Sequence, residues 1–361
     1  MTALVKNIIG VKPASAATET GSPDSVVKFL TVDEESAGQR LDNFLFRHLK
    51  GVPKTHVYRI IRSGEVRVNK GRAQAETRIE SGDVLRLPPV RVSARTEENA
   101  SKPAPARQFP VLLEDDALLA IDKPAGVAVH GGSGVSFGVI EQLRTARPMA
   151  KFLELVHRLD RDTSGILLVA KKRSALTALQ AQFRERETGK TYLALVEGTW
   201  PANKKVLDAP LAKYLLPGKD GTPDTGERRV RVVAKDHPDA MRAITLVRVL
   251  ARFTLPGDTT PVSLLAVTIK TGRTHQIRVH LASAGHAIAG DDKYGTSDRQ
   301  RALTKLGLRR MFLHAWRLQF THPASGERVS LQTDLPPELQ ALMPPLALEA
   351  LAQHLTPTLD K

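Results

Sequence analysis

The sequence predicts an α+β protein, with a small basic module followed by a larger domain built on a mixed, largely antiparallel β-sheet. Three observations predict it. Strand-length apolar segments recur after Phe109, and few of the gaps between them hold the crossover helix that a parallel sheet requires. The stretch 93–108, Ser93-Ala-Arg-Thr-Glu-Glu-Asn-Ala-Ser-Lys-Pro-Ala-Pro-Ala-Arg107 and Gln108, is polar, Pro-rich and without periodicity, and so reads as a linker. The 361 residues suit two domains at about 100–200 residues each.

Residues 1–29, rich in Ala, Ser, Thr and Gly, are expected to be a disordered tail. The module at 30–92 follows. Leu41, Phe44, Leu45 and Leu49 recur at helical spacing up to Gly51, and Val57, Ile60 and Ile61 mark a second helix between Pro53 and Gly64. Glu65–Asn69 alternates like a strand, Asn69-Lys70-Gly71 is a turn, and Val84–Leu87 closes the module. In the larger domain, 109–337, strands are expected at Val111–Leu113, Leu118–Asp122, Gly165–Ala170, Tyr192–Val196 and Val262–Ile269. Ser174 and Thr274 are the expected N-caps of helices stopped at Gly189 and Gly285. Residues 338–361 form a C-terminal helix and tail, with an amphipathic stretch running from Pro336 to Leu355.

Composition narrows the function. With no cysteine, disulfides, thiol nucleophiles and Cys-ligated zinc are excluded. No apolar run approaches the ~18 residues of a membrane span, and Lys6 and Asn7 spoil Met1–Val11 as a secretory signal. A soluble, cytoplasmic protein is expected. The net charge of +15 points to a polyanion. Between Arg40 and Arg95 the count is thirteen Lys/Arg against five Asp/Glu, a net of +8 and over half the excess. Aromatics, at 4%, are too sparse for a base-stacking sheet, so contact with the nucleic-acid backbone is expected. Arg59, Arg62, Arg67, Lys70 and Arg72 cluster where helix, strand and turn meet. They read either as a solvated face or as phosphate contacts.

Two polar strings could carry chemistry. His157-Arg-Leu-Asp-Arg-Asp-Thr-Ser-Gly165 runs into a buried strand, where Asp, Thr, Ser and Gly are also what a plain turn contains. An aspartic-protease reading fails because Gly does not follow Thr163 directly and no second copy exists. A metal site from His157, Asp160, Asp162, His275, His280, Asp291 and Asp292 lacks any recognised ligand spacing. A single nucleophilic or acid–base carboxylate, flanked by Arg158 and Arg161 that would also admit a phosphodiester, is the remaining reading. Lys270-Thr-Gly-Arg-Thr-His-Gln-Ile-Arg-Val-His280 leads from strand to helix, and there Arg273 suits a phosphate. Gly131-Gly-Ser-Gly134 lacks the phosphate-loop pattern.

Together these strings resemble the pseudouridine synthases, in the branch acting on large-subunit ribosomal RNA. The resemblance rests on His157–Gly165, on Lys190-Thr-Tyr-Leu-Ala-Leu-Val196 and on Thr271–His280, with support from Asp122-Lys-Pro-Ala-Gly126 and Gly285–Asp291 through Tyr294-Gly295. Arg40–Pro88 is similar to the S4-type RNA-binding fold. The departures, Ala287 for a frequent Pro and Val247 for a frequent aromatic, touch no chemistry. The resemblance implies that Asp160 is the catalytic aspartate, that Arg278 pairs with it, and that Tyr192 packs on the detached base and is a candidate proton acceptor. It further implies isomerisation of uridines in 23S ribosomal RNA or a large-subunit precursor, by a monomer needing no metal, nucleotide or redox cofactor. A non-catalytic ribosome-assembly factor is the rival reading. It would dispense with Asp160, Tyr192 and Arg278, all of which are present.

Overall fold

The computed structural model describes residues 27–49, 52–90, 104–131, 137–217 and 227–353. The expected tail up to residue 26, positions 93–103 of the linker, the stop at Gly51 and most of the Gly131–Gly134 loop therefore lie outside the described residues. Two compact units divide after Pro103. Ala104–Gln108, expected in the linker, belong to the larger unit, where Ala104 is buried.

In the smaller unit β1 (Lys28–Thr31) is followed by helices Leu41–His48 and Lys54–Arg62, then β2 (Arg67–Val68), β3 (Gly71–Arg72) and β4 (Val84–Leu87). The sheet runs β1-β4-β2-β3. Leu41, Phe44, Leu45, Val57, Ile60 and Ile61 of the helices pack on Val66, Ile79, Leu85 and Leu87, so the predicted apolar faces meet in one core. Asn69 and Lys70 take φ of 47° and 69°, the left-handed pair that suits a tight hairpin. Asn69 Oδ1 accepts from Val84 N at 2.9 Å, which ties the turn to the closing strand.

The larger unit contributes β5 (Val111–Glu114), β6 (Leu118–Lys123), β7 (Glu154–Leu155), β8 (Ser164–Ala170), β9 (Gly189–Glu197), β10 (Val206–Asp208), β11 (Leu211–Leu215), β12 (Arg228–Val232), β13 (Ile244–Thr254), β14 (Pro261–Ile269), β15 (Leu313–Thr321) and β16 (Arg328–Gln332). The main sheet runs β10-β13-β14-β9-β15-β8-β6-β5, with β16 on β15 and β7 on β8, while β11 and β12 form a separate hairpin. Among the described pairings only β8 and β15 are parallel, so the sheet is mixed and largely antiparallel, as expected. β15 is a fork. His314 and Ala315 pair with β8, whereas Arg317–Thr321 pair with β16 along the same edge. Gly165 makes the fork possible. Its φ is +108°, and a Cβ there would stand 2.3 Å from the Ala315 carbonyl oxygen. The chain entering β8 is thereby delivered to the split in the sheet.

Several local expectations are corrected. The helix Arg173–Glu185 has Lys172 rather than Ser174 at its N-cap position, with no side-chain cap bond, and left-handed Arg186 ends it before Gly189, which already belongs to β9. The helix Gln276–Ser283 has His275, not Thr274, at its N-cap position, with no side-chain cap bond. The single C-terminal helix is two, Pro337–Gln340 and Pro345–Ala352, because Pro344 and Pro345 offer no N–H donor and disfavour helix before them. Strands β7, β10, β11, β12, β13, β15 and β16 are not among those expected. No helix among the described residues is long and apolar enough to cross a membrane.

Candidate active site

Lys123, buried at the end of β6, donates from Nζ to the carbonyls of Pro124 (2.8 Å), Val127 (2.8 Å) and Arg161 (3.0 Å). The Asp122–Gly126 block is thus bonded to the turn that carries Asp160, itself closed by Thr163 N donating to Asp160 O at 3.2 Å. Tyr192 sits midway along β9, opposite Val267 of β14 and Ala315 of β15. The Thr271–His280 string is locked by buried Gln276. Its Oε1 accepts from Thr271 Oγ1 (2.7 Å) and Arg273 N (3.1 Å), and its Nε2 donates to Ile244 O (3.0 Å) and Thr245 Oγ1 (3.0 Å). All four polar positions of the amide are occupied, which fixes the turn that presents His275 and Arg278.

Arg278, only 3% exposed, approaches Asp160 Oδ2 with Nη1 at 3.6 Å, too long for a hydrogen bond. Its firm partner is Asp291, fully buried, which receives Nε at 2.7 Å and Nη2 at 2.6 Å, and Nη2 also reaches Asp292 at 3.1 Å. The expected neighbour Asp160 does lie within ion-pair distance of Arg278, but the hydrogen-bonded partner of Arg278 is Asp291. Asp160 is a neighbour, and Asp291 the anchor. Burial raises the Asp291 carboxyl, but the Arg278 fork and the N–H groups of Lys293 and Tyr294 outweigh it, so its pKa lies below the ordinary carboxylate range. Burial, and next the negative charge of Asp160, push the Tyr192 phenol well above its ordinary value.

A cavity of about 240 Å³ opens beside Asp160, with Tyr192, His275, Arg278, Arg158 and Arg273 on its walls. A second, of about 440 Å³, shares Arg158, Asp160, His275 and Arg278 and adds Arg161 and Lys293. The structure thus brings Asp160, Tyr192, Arg278, Arg158, Arg161 and Arg273 to one place. Arg161, however, pairs with Asp162 at 3.3 Å rather than flanking Asp160. The residues weighed for a metal do not assemble. His280 Nε2 meets Ala209 O at 2.9 Å in the interior, Asp291 is committed to Arg278, and no group of three potential ligands occurs among the described residues.

In the smaller unit Arg59, Arg62, Lys70 and Arg72 are exposed and Arg67 half-buried. Arg67 lies between Arg72 of β3 and Arg86 of β4, a row of like charges that opposes pairing unless an anion covers it. Arg86 was missed, although its alternation within the closing strand was legible. Asp291 and His275 were weighed only as metal ligands, not as partners of Arg278 and Asp160, and Gln276 was passed over inside a string already quoted.

An α+β fold with a forked sheet, and an aspartate and a buried arginine side by side in a basic-rimmed cavity, define a class. Residues 117–283 match the RNA pseudouridylate synthase family and residues 39–85 the S4 domain. The chain belongs to the pseudouridine synthase family. It is 49% identical over 323 residues to ribosomal large subunit pseudouridine synthase C of Pasteurella multocida, covering 89% of this chain and 94% of that protein. To the protein of the same name from Escherichia coli K12 it is 50% identical over 323 residues, covering 88% and 95%. The structure resembles human RNA pseudouridylate synthase domain containing 1 with a TM-score of 0.53 and 26% identity, over 71% of this chain and 98% of that one.

Proposed function

We propose that this chain isomerises specific uridines of 23S ribosomal RNA, free or within a large-subunit precursor, to pseudouridine, acting as a cytoplasmic monomer without a cofactor. The observation that carries the reading is Asp160 on the wall of the cavity beside Arg278, whose own position is set by Asp291. The reaction breaks the bond between C1′ and N1 of uracil, turns the base and joins C1′ to C5; C5 gives up its proton and N1 takes one up, so that no atom is gained or lost overall. Asp160 is the carboxylate that meets the sugar or the base as the first bond opens. Arg278 holds positive charge beside it. Tyr192, kept as a neutral phenol by burial and by Asp160, serves as a platform and hydrogen-bond donor for the detached ring. Its raised pKa argues against a phenolate base for the C5 proton. Arg158, Arg161 and Arg273 receive the flanking phosphates, and Arg59, Arg62, Arg67, Lys70 and Arg72 extend RNA capture. The target nucleotide must leave its stack to enter a cavity of this size.

Mapping pseudouridine in ribosomal RNA from cells lacking this protein tests the proposal. Particular large-subunit positions should revert to uridine, and wild-type protein, but not Asp160→Asn, should restore them. An unchanged map would refute it.

A further inference from the structure

Among the described residues of the larger unit, only Arg186 and His275 hold a left-handed backbone without being glycine, His275 at φ 52°. That conformation suits Gly best and is uncommon for any other residue, although Asn, Asp and His adopt it more often than most, so a side-chain reason for it is expected. The contacts of His275 supply one. Nδ1 lies 2.9 Å from the Tyr294 hydroxyl, and the two rings meet edge to face at 5.7 Å. The same hydroxyl oxygen accepts from Val230 N at 3.2 Å. Burial lifts the Tyr294 phenol to about 12, so it keeps its proton, and His275 Nδ1 is the acceptor that the described residues offer. With Nδ1 accepting, the imidazole proton resides on Nε2.

That Nε2 stands 3.9 Å from Asp160, and its nearest approach is to Oδ2. Arg278 Nη1, at 3.6 Å, comes closest to the same oxygen. Asp160, Arg278, Lys293 and Asp291 act on His275 electrostatically and Tyr294 bonds to it, while Arg158, Arg161, Arg273, Asp162, Asp292 and Glu227 share its cavity walls. Burial, together with Arg278 and Lys293, keeps the imidazole below its ordinary range against the opposing pull of Asp160 and Asp291, so it is a neutral donor at neutral pH.

We propose that His275 is a positioning residue for the isomerisation: its Nε2–H, oriented by Tyr294, joins Arg278 in clamping Oδ2 of Asp160, and Oδ1 is the oxygen that meets the nucleotide. The 3.6 and 3.9 Å gaps close to hydrogen bonds when RNA fills the cavity, as catalytic contacts commonly do. Fixing one oxygen sets the rotamer of the carboxylate and therefore the trajectory of the other.

The inference rests on the function proposed above, and the test separates the two. Wild type, His275→Asn and His275→Gln, all full-length, are compared on a ribosomal RNA transcript that the wild type modifies. The readouts are single-turnover rate at saturating protein, RNA affinity and thermal melting. Asn suits the left-handed backbone but is too short to reach Asp160. It should slow single turnover about 10- to 100-fold, the worth of a hydrogen bond to a charged group, with affinity and melting unchanged. Gln places an N–H near the position of Nε2 and should recover at least about fivefold of that loss. A wild-type rate in His275→Asn, a loss confined to RNA affinity, or no recovery with Gln would each overturn the positioning role. Wild-type protein that forms no pseudouridine on any large-subunit transcript would overturn the isomerase reading, and this inference with it.

Discussion

Replacing Arg278 with Ala should cost stability as well as activity, and the structure says where the cost arises. Removing the guanidinium deletes two charge-assisted bonds of 2.7 and 2.6 Å to Asp291, whose side chain is fully buried. The carboxylate keeps only the N–H groups of Lys293 (2.9 Å) and Tyr294 (3.1 Å). Breaking one side of such a buried pair costs about 3–5 kcal/mol. For a unit the size of Ala104–Lys361, that lowers the melting temperature by about 6–20 °C. Asp160→Ala should cost less than about 1 kcal/mol, because Asp160 is 24% exposed and stands 3.6 Å from Arg278. Arg278→Lys retains the charge but not the fork, so it should melt between the two and stay slow. Adding Asp291→Asn to Arg278→Ala removes the stranded charge and should restore most of the stability without restoring turnover. Thermal melts and pseudouridine formation on one transcript decide the matter. Arg278→Ala melting with the wild type, or Asp160→Ala falling as far as Arg278→Ala, would refute the assignment of Asp291 as the anchor.

Asp160→Asn should abolish pseudouridine formation while leaving melting and RNA affinity near wild type. Asp162→Asn, which releases only the partly exposed pair with Arg161, should be far milder, and equal loss at both positions would mean the wrong aspartate had been chosen. His314, fully buried, is pushed down to about 3 by burial and the nearby Arg310 charge, whereas an unfolded histidine titrates near 6.5. Below about pH 6.5 the unfolded chain takes up a proton that the folded chain refuses, so stability falls with pH until about 3, by about 2 kcal/mol at pH 5. Denaturant midpoints at pH 7.5 and 5 should show this in wild type and a shallower drop in His314→Gln. Gly165→Ala forces a Cβ to 2.3 Å from the Ala315 carbonyl at a φ of +108°, so loss of soluble folded protein or of at least ~2 kcal/mol is expected, and a wild-type melt would show that the fork tolerates a side chain. Arg67→Ser with Arg72→Ser should flatten the plot of log affinity against log salt by about 1.4–1.8 if both meet phosphates; parallel plots would make the row a solvated face.

What was legible in the sequence was local. An apolar run such as Ile166–Ala170, bounded by turn residues, reads as a buried strand and the polar string before it as a turn entering it, and it was the resemblance of that string to the pseudouridine synthases that picked out Asp160 before any coordinates. The Asn69-Lys70-Gly71 turn was legible from its turn residues in the same way. Partnerships were not. Arg278 and Asp291 lie thirteen residues apart, and whether the intervening chain returns the carboxylate to Arg278 or to a metal is settled by packing that no spacing rule contains. The left-handed His275 carries no local sign either, since histidine takes that conformation only occasionally, and the true helix start moved one position beyond the expected Thr274 cap. Strand β13 hid because Arg248 and Arg252 break its apolar pattern, Arg248 facing solvent. The break at Pro344-Pro345, by contrast, was plainly written in the sequence, and the apolar periodicity around it was given too much weight.

Charge around the site is divided in a way that suits its substrate. Asp160, Asp291 and Asp292 surround a single Arg278, so the centre is formally negative and would repel a phosphate. The cations proposed to hold one, Arg158, Arg161 and Arg273, stand on the cavity walls beyond it. A polyanion drawn in by the basic rim therefore has its phosphates held away from Asp160, and the group left to fill the centre is the uncharged one, the ribose and its base. Had Arg278 been free of Asp291, it would have been the strongest phosphate site in the cavity and would have drawn the backbone onto the carboxylate. Pairing it with a buried aspartate withdraws it from that competition and leaves its remaining Nη1 to Asp160 alone.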